Sequence, residues 1–261
     1  MFAVTPLRSQ LLSQHGFRHG FSPRQGGVSQ PPFDSCNLGR GVGDEPEHVA
    51  ENRRRFAAAV GYEPSALFEV NQVHGREVHA VRRSDDPAQV RVASGDGLVA
   101  ERGASVGVRT ADCVPLLVAD PETRCVAALH AGWRGAAAGV ASSGLELLMQ
   151  VSGAPAERLV AGIFPHIRAC CFEVSEDVAE VLANAWPPGV VGRDALSWRG
   201  PGGKPHVDLA ALLHAQLTAA GLVAARIELV DGCTRCSADR FFSYRRDGQA
   251  SGRHLGAIVA E

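Results

Sequence analysis

The chain has no long apolar run. Nowhere do eighteen apolar residues stand together, so no membrane-spanning helix and no membrane partner are expected. Met1 to Arg8 lack the basic head and apolar stretch of an export signal, and the reading that follows is a cytoplasmic protein. Blocks of like charge are also missing. The 26 basic residues offset 28 acidic ones to a net charge of -2, which argues against a broad electrostatic footprint for nucleic acid. No internal repeat or linker interrupts the sequence; 29 glycines and 15 prolines are spread along it and punctuate many short elements. Methionine is scarce, at two residues, and none of the ten histidines forms a His-x-His pair, so copper is the less favoured cation for any metal site.

The composition that remains, 45% hydrophobic and 21% charged, is that of a chain able to build a sizeable core. We read residues 1–261 as one domain. Glu45 to Val60 has a helical pattern, with Pro46 suited to the first turn, Val49, Phe56 and Val60 on one face, and Gly61 as the stop. Ala136 to Val151 is a second helix. Ser175 and Asp208 cap two more, through Ala185 and Ala220. Strand-like runs fall at Ala66 to Val73, Glu77 to Val81, Ser105 to Arg109, Leu116 to Ala119 and Val126 to Leu129. Later ones are Leu159 to Phe164, Arg226 to Val230 and Leu255 to Val259. Strands and helices do not alternate strictly, so the expected class is α+β, with mixed β-sheets flanked by helices.

Three reactive side chains stand at the edges of those strands. Cys113 lies in Arg109-Thr110-Ala111-Asp112-Cys113-Val114-Pro115, His130 in His130-Ala131-Gly132-Trp133-Arg134-Gly135, and His74 in Gln72-Val73-His74-Gly75. Two imidazoles and a thiolate suit a metal with one position open, or a thiol nucleophile with a histidine partner. Asp112 and Asp96 are candidate acid/base or hydroxyl-binding groups, although an aspartate in Gly95-Asp96-Gly97 also fits a plain turn. Arg109 and Arg134 offer charge to an anion, Arg134 at a glycine-bounded helix start that lacks the lysine of a phosphate-binding loop. Arg24 and Asn37 lie in a long turn-rich segment from Gly20 to Gly43, and Arg245 in the basic pair Arg245-Arg246. Cys233-Thr234-Arg235-Cys236 is a single CxxC; a structural zinc asks for a second pair, and adjacent Cys170-Cys171 suits that poorly.

Taken together, these segments resemble the YfiH-type purine nucleoside phosphorylase family, long labelled the multicopper polyphenol oxidase or laccase-domain family. The resemblance runs from His19-Gly20-Phe21-Ser22 and Asn37-Leu38-Gly39 through Asp96-Gly97-Leu98-Val99 to Phe242-Ser243-Tyr244-Arg245-Arg246-Asp247. Its most specific part is Ala111-Asp112-Cys113-Val114-Pro115 followed by His130-Ala131-Gly132-Trp133-Arg134-Gly135. It implies a fold like that of the cytotoxic necrotizing factor catalytic domain and a zinc ion on His74, Cys113 and His130. It implies phosphate-dependent cleavage of adenosine, inosine, guanosine and methylthioadenosine, with inorganic phosphate as co-substrate and adenosine deamination as a second activity. On that reading Asp112 joins the catalytic set, and Arg24, Asn37, Asp96, Arg109, Arg134 and Arg245 bind substrate. The deaminase signature His-x-Glu with Pro-Cys-x-x-Cys is absent, so deamination would need another constellation.

Two positions depart from the family pattern. Phe164-Pro165-His166-Ile167-Arg168-Ala169 stands where the family has Gly-Pro-Ser-Ile-Gly-Pro, which alters nucleoside preference if that loop lines the site, and Ala100 replaces a threonine. Two rival chemistries use the same residues: a metal-free cysteine hydrolase built on Cys113 and His130, and a copper-dependent polyphenol oxidase.

Overall fold

The computed structural model describes residues 3–261. In chain order the first half holds α1 (Gln10–Gln14), β1 (His19–Phe21), α2 (Pro46–Val60), β2 (Leu67–Phe68), β3 (Val78–Val81) and α3 (Pro87–Val90). It continues through β4 (Gly97–Ala100), β5 (Ser105–Thr110), β6 (Val114–Ala119) and β7 (Val126–Ala131). The second half holds α4 (Trp133–Ala138), α5 (Val140–Ser152), β8 (Val160–Ile163), α6 (Glu176–Asn184), β9 (Ser197–Arg199) and β10 (Pro205–Val207). It ends with α7 (Leu209–Ala219), β11 (Ile227–Leu229), α8 (Tyr244–Asp247) and β12 (His254–Val259). Among the described residues no helix is long and apolar enough to cross a membrane.

A six-stranded mixed sheet in the order β11-β8-β6-β7-β4-β3 faces a four-stranded sheet ordered β1-β12-β5-β2, with β9 and β10 forming a separate ribbon. Strand periodicity decides the layers. On β6, Leu116 and Val118 point into one core with Leu145 and Leu148 of α5 and Leu213 and Leu217 of α7. Leu117 and Ala119 point the other way, into a core shared with Phe68, Val106, Val108 and Ile258 of the smaller sheet. The smaller sheet's outer face, Leu67, Leu255 and Ala257, is covered by Phe56 and Val60 of α2. Helices thus cover both outsides of two stacked sheets. β6, β7 and β12 are buried at every position, which is why they read as continuous apolar runs rather than alternating ones.

The α+β expectation holds, and several element ends fall where the sequence placed them. Gly61 closes α2 at φ 99°, and Asp208 caps α7 by accepting the Ala211 N–H at 3.1 Å. Two elements differ. The strand expected over residues 66–73 pairs continuously only at Leu67 and Phe68, with one isolated bridge further on from Asn71 to Ser94. Beyond them the chain turns inward at Glu69, whose buried carboxylate meets Arg53, Arg40 and Arg109. The helix expected from Ala136 starts earlier, at Trp133, and is broken at Gly139, where φ is 84°. The strand-to-helix junction expected around Arg134 is present, with Gly132 at the N-cap, but the helix it opens, α4, is only six residues long.

Candidate metal centre

Sheet register builds the centre. In the antiparallel pair β6–β7, Val114 faces Ala131 and Pro115 faces His130. Extending that pairing one residue sets Cys113 opposite Gly132. A Cβ on Gly132 would lie 2.8 Å from the His74 ring and 3.1 Å from Cys113 Sγ, so only glycine leaves room for the two side chains. His74 and Cys113 stand on turns where the chain takes the left-handed region without glycine, at φ 60° for His74 and 89° for the preceding Asp112. The ligand atoms of His74, Cys113 and His130 all lie within 4.8 Å of one another. The two imidazoles meet edge to face at 4.8 Å between ring centroids. Burial rises from exposed His74, through half-buried Cys113, to buried His130.

Asp96 holds this arrangement. β4 pairs with β7 so that Gly97 faces Leu129, and the His130 N–H donates to Asp96 O at 2.7 Å. The Asp96 carboxylate is fully buried. It accepts from His130 Nδ1–H at 2.8 Å and from the backbone N–H groups of His74 and Gly75 at 2.9 and 2.5 Å. One carboxylate thus orients the His130 ring and the turn that carries His74, with the His130 Nε2 edge left for Cys113 or an ion. Both oxygens of Asp96, expected to meet substrate, accept from protein donors here.

Electrostatics tie the group together. Burial would raise the Cys113 thiol, but His130 and the hydrogen bonds from both histidines outweigh it and bring the pKa down to about 6. Burial would lower His130, but the Cys113 sulfur and Asp96 raise it to about 9. Without an ion, these opposite shifts favour the charged forms of both Cys113 and His130, with the far side of the His130 ring on Asp96. With one, the same residues offer a thiolate and two imidazoles.

The centre opens into a cleft of about 540 Å³. Arg109, Arg134 and Arg245 line it, joined by Arg40 and Arg253, with Trp133, Phe172, Tyr244 and Ile167 among the apolar walls. Ile167 belongs to the loop that departs from the family pattern. Arg24 and Asn37 are elsewhere. Arg24 ties Asp34 O at 2.7 Å and Ala238 O at 3.0 Å, and buried Asn37 braces Gly39, Asp44 and Arg253, so both order the long early loop. Asp112 borders the cleft, but its carboxylate is spent on Thr234 Oγ1 at 2.6 Å, Ser243 Oγ at 3.0 Å and the Arg245 N–H at 2.6 Å. It anchors the wall, with Oδ2 accepting two of these bonds and Oδ1 one. A larger depression of about 840 Å³ lies at the other end of β5, around Tyr62 and Ser105, and contains none of these ligands.

Over residues 18–261 the chain matches the family described as multi-copper polyphenol oxidoreductase laccase. The chain belongs to that family. Among relatives, it is 39% identical over 246 residues to the protein named purine nucleoside phosphorylase SCO2081 of Streptomyces coelicolor, covering 94% of this chain and 96% of that one. It is 35% identical over 246 residues to purine nucleoside phosphorylase YlmD of Geobacillus stearothermophilus, covering 92% and 88%. The crystal structure of YlmD from that organism superposes with a TM-score of 0.89 at 31% identity, covering 100% of this chain and 97% of that chain. The Bacillus licheniformis hypothetical protein YfiH gives 0.87 at 29% identity, covering 96% and 94%. The family and fold expected from the motifs are those found. The laccase description contrasts with the donor set: among the described residues no third histidine joins His74 and His130.

Proposed function

We propose that this protein cleaves purine nucleosides by phosphorolysis, with zinc held by His74, Cys113 and His130 and with inorganic phosphate as co-substrate. The observation that carries the reading is the convergence of those three ligand atoms at a cleft that combines guanidinium groups with flat aromatic walls. The names of the relatives supply the substrate class. Two imidazoles and one thiolate fit zinc with a position left open, and the absence of methionine and further histidine from the group disfavours copper.

In phosphorolysis an oxygen of hydrogenphosphate bonds to C1′ of the ribose while the bond from C1′ to the purine nitrogen breaks, and the base leaves with the electron pair and gains the proton that the phosphate gives up. When bound, zinc supplies Lewis-acid stabilisation of developing negative charge. Arg40 and Arg109 are the proposed phosphate holders. Around Glu69 stand Arg40, Arg53 and Arg109, three cations on one carboxylate, and Arg40 is held below its usual range by burial and then by Arg53. An anion beside them relieves that excess. Gln72 fixes the Arg109 backbone by donating to its carbonyl at 2.8 Å and accepting its N–H at 2.9 Å. Trp133, Phe172 and Tyr244 line the cleft, each with a guanidinium over one ring face, from Arg134, Arg245 and Arg253, and would meet the purine on the ring surface these arginines leave open. Adenosine deamination is proposed as a second activity of the same cleft.

The test is elemental analysis of the purified protein coupled to an assay for phosphate-dependent release of free purine, with ammonia release from adenosine as the deaminase measurement. Stoichiometric zinc and purine release that needs phosphate support the reading; full turnover after chelation overturns the zinc part. One observation favours a second reading. Cys113, His130 and Asp96 stand in the order of a nucleophile, base and orienting acid, with His130 Nδ1 2.8 Å from Asp96. A metal-free cysteine hydrolase would be active after chelation and be killed by thiol alkylation.

A further inference from the structure

We propose that Cys170, Cys171, Cys233 and Cys236 form a second metal site, a four-thiolate cage for one divalent cation of the zinc class that clamps two loops behind the cleft. This inference does not rest on the nucleoside reading. The four sulfurs lie within 4.8 Å of one another, although the two pairs are more than sixty positions apart in sequence. A tetrahedral ion with zinc–sulfur bonds of about 2.3 Å holds its sulfurs about 3.8 Å apart. Cys170 Sγ is 3.8 Å from Cys171, 3.7 Å from Cys233 and 3.6 Å from Cys236, while Cys171 and Cys236 are 3.2 Å apart. None of these separations approaches the roughly 2 Å of a disulfide bond.

The sequence argued against this grouping because Cys170 and Cys171 are adjacent. The backbone removes the objection. The N–H groups of Cys171 and Phe172 both donate to Arg168 O at 2.9 Å, and this tight turn leaves both sulfurs on the side facing the CxxC. The opposing loop is docked by a bridge between His166 and Cys233. The surroundings suit excess negative charge, as four thiolates around one divalent ion require. The Arg168 N–H donates to Cys233 Sγ at 3.5 Å, and Arg235 Nη1 donates to Cys171 Sγ at 3.7 Å. The cage would fasten the loop between β8 and α6 to the loop between β11 and α8. Phe172 follows Cys171 and lines the cleft, and Thr234, inside the CxxC, donates to Asp112 beside Cys113.

The experiment measures zinc per chain in protein purified under reductant, for the unmodified chain, Cys236→Ser, Cys113→Ala and the double variant. The expected contents are two ions, one, one and none. If the Cys113 centre holds no zinc, the unmodified chain carries one ion that only Cys236→Ser removes, so the two assignments are read separately. Cobalt(II) added to Cys113→Ala should give tetrahedral bands and a thiolate-to-cobalt charge-transfer band of four-sulfur intensity. A second observable in the intact chain guards against misfolding of the variants: saturation with zinc should protect the four cage thiols from alkylation, in addition to Cys113 at its own centre, and chelation should expose them. Zinc content unchanged by Cys236→Ser, or four sulfurs that alkylate equally with and without zinc, overturns the proposal.

Discussion

The His74, Cys113 and His130 centre and the four-cysteine cluster bring similar atoms together by opposite means. The first is built by strand register. Two of its residues stand at the paired ends of β6 and β7, a buried carboxylate fixes the third, and its donor set is mixed. The second is built by loops. Its sulfurs are exposed or half-buried, and backbone N–H groups and an arginine, rather than carboxylates, point at them. Three mixed ligands at a cleft leave a coordination position for chemistry, whereas four thiolates close the sphere and leave only structure. The difference teaches where rigidity is placed: the sheet supplies it where a reaction needs an open side, and a closed cage suits loops that have no sheet to hold them.

The largest effect that would sharpen this contrast is expected from Cys113→Ala. It should remove the ion of the sheet-built centre and cut phosphate-dependent purine release by on the order of 10³-fold, several kcal/mol of charge stabilisation. The circular dichroism spectrum and the four-cysteine site should be unchanged. Activity that survives this change means that the cleft works without the trio. Next comes Asp96→Asn, which keeps the shape but removes the charge that holds His130 and the His74 turn. A supporting carboxylate of this kind is worth roughly 10–100-fold in metal affinity, to be read by chelator competition. Unaltered zinc affinity would mean that Asp96 is a turn residue and no more. Arg109→Ala should raise the KM for phosphate by about tenfold, the loss of a charge-assisted hydrogen bond, while the KM for nucleoside moves little. An equal rise in both would place phosphate elsewhere.

How far the sequence shows these two regions depends on the range of the interactions that make them. The apolar runs of β5, β6, β7 and β12 were legible because both faces are buried. The ends of α2 and α7 were legible because Gly61 and Asp208 act locally. Cys113 and His130 stood out beside those strands. The part played by Asp96 was hidden, because it follows from the pairing of β4 with β7 across 34 positions and a turn aspartate looks the same. Arg40 and Arg253 reach the cleft from loops whose position depends on buried Asn37, and no local pattern marks them. The cysteine cluster was discounted on spacing, since the Arg168 turn that gathers the adjacent pair has no signature in composition. The six residues from Phe164 to Ala169 divide between the regions: Ile167 lines the cleft, while the Arg168 N–H meets Cys233.

The smallest expected effect tests whether the regions are coupled. The contact that joins them is the hydrogen bond from Thr234 Oγ1 to Asp112 Oδ1, 2.6 Å long, between two buried side chains. Thr234→Val preserves shape and removes the donor. Asp112 keeps Ser243 and the Arg245 N–H on its other oxygen, so one lone acceptor is left in a buried setting. That costs about 1–3 kcal/mol, visible as an earlier midpoint in urea. Because neither ligand set contains Thr234, zinc content should stay as in the unmodified chain, and kcat should change by a few-fold at most. If instead Thr234→Val releases zinc from either place, the two centres are one cooperative unit joined through Asp112, and the division between a sheet-built reactive site and a loop-built clamp does not hold.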